Sequence, residues 1–252
     1  MRKTSGRRGQ MNFEQSENQP VQAPGPVKYA VPWKPIDNWI GVVLLAIIQG
    51  GLLILTLLGR RIQLAQSGLL VVAQLIYLLP VILIFIWRNI PWAALGFGSF
   101  SWGTLSLGCG LLIFSYGIIL LHNLILTFLG IDTQGVKISG LMEHLNTPVW
   151  FLLVGAILAP LVEEIFFRGF LFQGFRARYG WIGGMLLSSG IFAIAHLDPV
   201  TLIPTFILGN LLAYLYHRTN SVFPGAIVHT LINTSSLLYL YVITQYPNLI
   251  PS

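Results

Sequence analysis

The chain has 252 residues, 55% of them hydrophobic and 9% charged, with a mean hydropathy of +0.75. Soluble domains carry about a quarter charged residues, so this composition excludes a water-soluble fold and indicates an integral membrane protein. The single Cys109 excludes an internal disulfide framework and a cysteine-based metal site. The net charge of +6 does not point to nucleic acid, because six of the fourteen basic residues precede position 35, where they suit a lipid-facing cytosolic tail.

Residues 1–36 are rich in Gln, Pro, Gly and basic side chains and lack apolar periodicity, which predicts a disordered tail. No apolar core appears before Trp39, so they are not read as a signal peptide. From there, apolar runs of about 16 to 22 residues predict membrane-spanning helices rather than barrel strands. Spans are expected at 39–58, at 69–87 with a kink at Pro80, at 107–129, from 149 onwards, and at 181–197, 200–216 and 223–243. The aromatic, Gly-rich stretch 88–105 suits the membrane interface. The expected fold is all-α, a polytopic transmembrane bundle of about seven to eight helices. It divides into the tail 1–36, the N-terminal helices and interfacial segment 37–147, a chemistry-bearing bundle 148–245, and a short tail 246–252. With a cytosolic N-terminus, the cytosolic segments hold the tail charges, Arg88, Arg176, Arg178 and Arg218, against Arg60, Arg61 and Lys137 on the other side. The positive-inside rule favours that orientation, which would put Glu163 within reach of the cytosolic face.

The chemistry concentrates in Pro160–Gly169, where Glu163, Glu164 and Arg168 close an apolar run. Each ionised side chain at a helix centre costs about 2.5 to 3.5 kcal/mol on insertion scales, so three within six residues imply a working site. At about 100° per residue, Arg168 lies roughly 40° from Glu164 but about 140° from Glu163. Glu164 is therefore expected to pair with Arg168 as support, leaving Glu163, near Phe167, free to meet groups from other helices. Further along, Phe192 precedes His196 by one turn, and His229 precedes Asn233 by one turn. Hydrocarbon rejects each polar group singly, so they are expected to converge in the bundle interior. His122 with Asn123 is read as interhelical glue, and His144 and His217 as solvated.

One carboxylate, two imidazoles and one carboxamide suit hydrolysis. Glu163 with His196 can hold and deprotonate a water, while His229 and Asn233 donate to the oxyanion formed when that water attacks a carbonyl. The same Glu163, His196 and His229 could instead bind zinc with a water in the fourth position. The residues leave both open. An amide at 233, where a second helical histidine would make a stronger zinc pattern, favours the metal-independent form.

In order and spacing, Glu-Glu-x-x-x-Arg at Glu163, Glu164 and Arg168, Phe-x-x-x-His at Phe192 and His196, and His-x-x-x-Asn at His229 and Asn233 resemble the CPBP (Abi) family of intramembrane proteases. Its eukaryotic members are the type II CAAX prenyl endopeptidases, or Ras-converting enzymes. The resemblance covers about residues 149–240. It implies an endopeptidase cutting near the C-terminus of a lipidated or membrane-borne protein, with Glu163 as base, His196 sharing its water, and His229 and Asn233 at the oxyanion. The expected partners are such a substrate and membrane lipids. The competing reading is a non-catalytic membrane partner, such as a bacteriocin-immunity factor or scaffold. A binding descendant could shed one of the four site residues, and none is missing. A proton-coupled transporter is weaker, since no inverted repeat or paired broken helix is evident.

Overall fold

The computed structural model describes residues 29–59, 71–72, 74–133 and 152–246, and it is an all-α bundle, with a single isolated β-bridge among those residues. Helix α1 is Pro35–Gly59, α2 is Leu79–Arg88 after a 3-10 turn at Ile76–Leu78, and α3 is Trp102–Phe128. The next rod begins π-helical at Val154–Leu158, becomes α-helical as α4 (Ala159–Glu164), and is π-helical again at Ile165–Phe172. Helix α5, Gln173–Ala195, continues it to Gly180, whose φ of 75° breaks the rod between the fourth and fifth expected spans. Helices α6 (Leu202–Thr219) and α7 (Phe223–Gln245) follow. Four described helices, over Pro35–Leu55, Trp102–Phe128, Pro199–Thr219 and Phe223–Val242, are long and apolar enough to cross a bilayer. The second and fourth expected spans begin in residues outside those described, as does the C-terminal tail beyond Tyr246.

Two expectations for the N-terminal half need revision. Most of the tail assigned to 1–36 lies outside the described residues, but its last part is packed: Trp33 is buried in the aromatic core with Phe85 and Phe170. The stretch 88–105 does more than lie at an interface, because Leu95 is fully buried and its carbonyl accepts from Tyr216 Oη at 3.1 Å. Its neighbours are pinned as well. Gln173 Nε2 donates to Ala94 O at 2.8 Å, Val222 N to Gly96 O at 2.8 Å, and Ser221 Oγ to Gly98 O at 2.7 Å. Gly96, at φ 85°, faces Tyr216 Oη so closely that no Cβ fits. A composition that reads as interfacial thus caps one end of the bundle.

Lipid tails are as apolar as leucine, so what holds these helices together is close packing and hydrogen bonding rather than water exclusion. Small residues bring the backbones near. A Cβ on Gly209 of α6 would lie 3.1 Å from Ser189 Cα of α5, and one on Gly108 of α3 would meet Leu215 at 3.0 Å. Hydrogen bonds from α1 also support the second π segment. Asn38, fully buried, donates to the carbonyls of Phe170 and Leu171 at 3.3 and 3.0 Å and accepts from Trp33 Nε1 at 3.0 Å. Orphaning a buried polar group costs about 1 to 3 kcal/mol. Asn38→Leu is therefore expected to lower the thermal midpoint in detergent by several degrees, and an unchanged midpoint would show that these carbonyls find other partners.

Candidate active site

Glu163, His196, His229 and Asn233 line one cavity of about 200 Å³, together with Tyr116, Phe192 and Thr205. The sequence-based set is thus brought together by the rod carrying α4, by α5 and by α7, while α3 and α6 close the cavity with Tyr116 and Thr205. The cavity shares Ile119, Pro204 and Asn233 with a second one of about 410 Å³, which extends to Asn123, Thr133, Thr201, Ser236 and Tyr239. Those residues sit at the start of α6 and towards the ends of α3 and α7, which is the bundle end opposite Arg88, Arg176 and Arg218. The second cavity thus extends away from the end that segment 92–98 caps.

The pairing read from helix angles holds. Arg168 NH1 lies 2.8 Å from Glu164 Oε1, both side chains being fully buried. The approach is an ion pair rather than an aligned hydrogen bond, and Arg168 NH2 also donates to Gly209 O at 3.3 Å. The guanidinium stacks 4.3 Å over Phe192, and Phe192 in turn meets Phe167, His196 and His229 edge-on. Phe192, backed by Phe167, is therefore the ring against which both imidazoles are set.

Glu164 has a second role that the helix angles could not show. Its Oε1 lies 3.3 Å from His229 Nδ1, and its Oε2 sits against Gly225, where a Cβ would be 2.7 Å away. Gly225 is the third residue of α7, and a helix start concentrates partial positive charge, which favours a carboxylate there. With Nδ1 turned to Glu164, His229 presents Nε2 to Glu163 Oε2 at 3.9 Å.

Asn233 owes its placement to a proline. In the first π segment the Ala159 amide turns back to Val154 O, so it is not available to Gly155 O. The residue five beyond Gly155 is Pro160, which has no N–H to offer. Gly155 O is left to accept from Asn233 Nδ2 at 2.9 Å, and that bond aims the amide while leaving its second N–H unspent. His196 Nδ1 lies 2.8 Å from Phe192 O, so its Nε2 is the nitrogen left for the cavity. Tyr77 and Gln49 escaped the sequence reading. Gln49 Nε2 donates to Tyr77 Oη at 2.6 Å and to Ala195 O at 2.9 Å, and Tyr77 packs on Phe167. Nothing in their spacing marks them, because both belong to helices that look merely apolar.

Zinc requires Glu163, His196 and His229 to converge at about 2.0 to 2.2 Å on one point. Among the described residues no three His, Cys, Asp or Glu side chains are grouped to hold a metal ion. His229 Nδ1 is directed at Glu164 and His196 Nδ1 at a backbone carbonyl. With Nδ1 held in this way each imidazole keeps Nε2 for the cavity, an orientation that serves direct water activation and zinc ligation alike.

This chain is an integral membrane protein whose helix bundle gathers a polar cluster around one cavity. Residues 145–235, which contain that whole cluster, match the family model described as "Type II CAAX prenyl endopeptidase Rce1-like". Over 105 residues the chain is 28% identical to "Putative membrane peptidase YdiL" of Bacillus subtilis (strain 168), covering 42% of this chain and 43% of that protein. Over 93 residues it is 34% identical to an "Uncharacterized 24.3 kDa protein" of Escherichia coli, covering 35% and 43%. The chain thus spans less than half the length of these relatives. No solved structure matches it significantly.

Proposed function

We propose that the chain is an intramembrane endopeptidase that hydrolyses a peptide bond near the C-terminus of a lipidated, CAAX-type or membrane-associated protein. The observation that carries this reading is the shared cavity, which brings a carboxylate, two imidazoles and a carboxamide together inside the Rce1-like segment. Glu163 takes the proton of a water held with His196 Nε2, and the water oxygen attacks the scissile carbonyl. The oxyanion receives the free Asn233 N–H and the Nε2–H of His229, whose Nδ1–H donates to Glu164. The proton on Glu163 then passes to the leaving amine, which restores the carboxylate. Preorganised donors of this kind are each worth about 2.7 to 4 kcal/mol of barrier.

In this reading the cavity lined by Asn123, Thr201 and Ser236 holds part of the extended substrate segment beside the catalytic groups, and the N-terminus faces the cytosol. The test compares membrane proteomes from cells making the wild-type chain or Glu163→Gln. Shortened C-termini or juxtamembrane cuts that appear only with wild type are expected. Identical proteomes would favour the non-catalytic membrane partner.

The chemistry proposed needs no metal. Elemental analysis of active, purified protein is expected to find less than stoichiometric zinc and activity that survives chelation. Stoichiometric zinc whose removal abolishes activity and whose return restores it would overturn the metal-independent form while keeping the same residues.

A further inference from the structure

A second polar centre lies at the arginine-bearing end, apart from the candidate active site. Arg176, near the start of α5, is 4% exposed, and its Nε and NH1 have no hydrogen-bond partner. Its guanidinium lies 4.1 Å from the centre of the Tyr29 ring, with the rings of Phe172 and Tyr216 at 5.3 and 5.7 Å. The other two described arginines that are buried or half-buried with an ion pair have a carboxylate at 2.8 Å: Arg88 has Asp37 and Arg168 has Glu164. Arg176 has none among the described residues. Beside it, His217 stacks on Trp181 at 4.9 Å and 9°, and meets the Tyr29 ring edge-on at 5.7 Å. His217 Nδ1 is likewise buried without a partner.

Aromatic rings satisfy the faces of a guanidinium but leave the N–H groups in its plane wanting an acceptor. A native structure rarely leaves such donors unmet, so solvent or a ligand has to reach them. The acceptor must be anionic to balance the buried charge, and the planar fork of arginine matches the oxygens of phosphate. Depth narrows the source. Trp181 and Tyr179 are partly exposed here, Arg178 and Arg218 are close in sequence, and amphipathic aromatics with basic residues mark the headgroup level of a bilayer. We propose that Arg176 and His217, framed by Phe172, Trp181 and Tyr216, form a phosphate-binding site that takes the phosphodiester of an anionic lipid headgroup. Tyr29, only half-buried, covers the guanidinium and is the ring that moves to admit the ligand.

The test titrates the delipidated full chain in neutral detergent with dihexanoyl phosphatidylglycerol or with inorganic phosphate, following the thermal midpoint. A saturable rise with the lipid, with affinity reduced at least tenfold in Arg176→Gln, is expected. The same rise with inorganic phosphate alone would support the phosphate site but make a soluble ion its ligand. No saturable rise with either probe, or equal affinity in Arg176→Gln, would overturn the proposal. If Arg176→Gln does not fold, Tyr29→Ala decides: it uncovers the guanidinium without removing it and is expected to bind at least as tightly as wild type. Binding weakened tenfold in that variant would overturn the assignment. None of these readouts depends on peptide hydrolysis.

Discussion

Glu163→Gln is expected to lose peptide hydrolysis by a factor of about 10² to 10⁴, the usual contribution of a positioned general base, while the protein inserts and folds as before. The fold should survive because the substitution is nearly isosteric and the charge count still closes. With residue 163 neutral, Glu164 still balances Arg168 at 2.8 Å. The 3.9 Å approach of Glu163 to His229 is loose enough for an amide to replace the carboxylate without displacing the imidazole. A purified variant with wild-type thermal midpoint and wild-type cleavage rate would show that Glu163 is not the base.

The separation of Glu163 from Glu164 was legible because it needs only the helical period and a count to Arg168. The partners of His229 were not legible, because the Glu164 to His229 contact spans 65 residues and depends on how α7 packs on α4. The chain period also misleads locally. Residues 165–172 are π-helical, a geometry that apolar pattern cannot distinguish from α. The break at Gly180 was anticipated by the expected end of one span and start of the next, since a glycine between two apolar runs is a usual boundary. The packed role of 92–98 was hidden because its anchors are backbone carbonyls, and every sequence has those. Pro160 was in plain view next to the motif, yet its effect on Gly155 and Asn233 appears only once the carbonyl has a position in space.

Glu164→Gln is expected to do the opposite of Glu163→Gln, collapsing the folded yield before any rate can be compared. Glu164 is fully buried and meets two cationic or potentially cationic groups, Arg168 at 2.8 Å and His229 at 3.3 Å. Removing it leaves the Arg168 guanidinium buried with only the Gly209 carbonyl and the Phe192 ring. Breaking one partner out of a buried pair costs about 3 to 5 kcal/mol, comparable to the whole stability of a small domain. The charge sum could still close through Glu163, but that carboxylate points to a different side of the helix, and a distant counter-charge does not restore the contact. The measurement is monodisperse yield and thermal midpoint in detergent, with Glu163→Gln as reference. Equal yields for the two variants would undo the division of labour between adjacent carboxylates. The double variant Glu164→Gln with Arg168→Met removes the orphaned cation and is expected to recover most of the yield. Hydrolysis should stay at least tenfold low, because His229 Nδ1–H no longer has a carboxylate to hold the ring angle and stabilise the donating form. Recovery of both yield and rate would mean that Glu164 serves only to neutralise Arg168 and has no part in positioning His229.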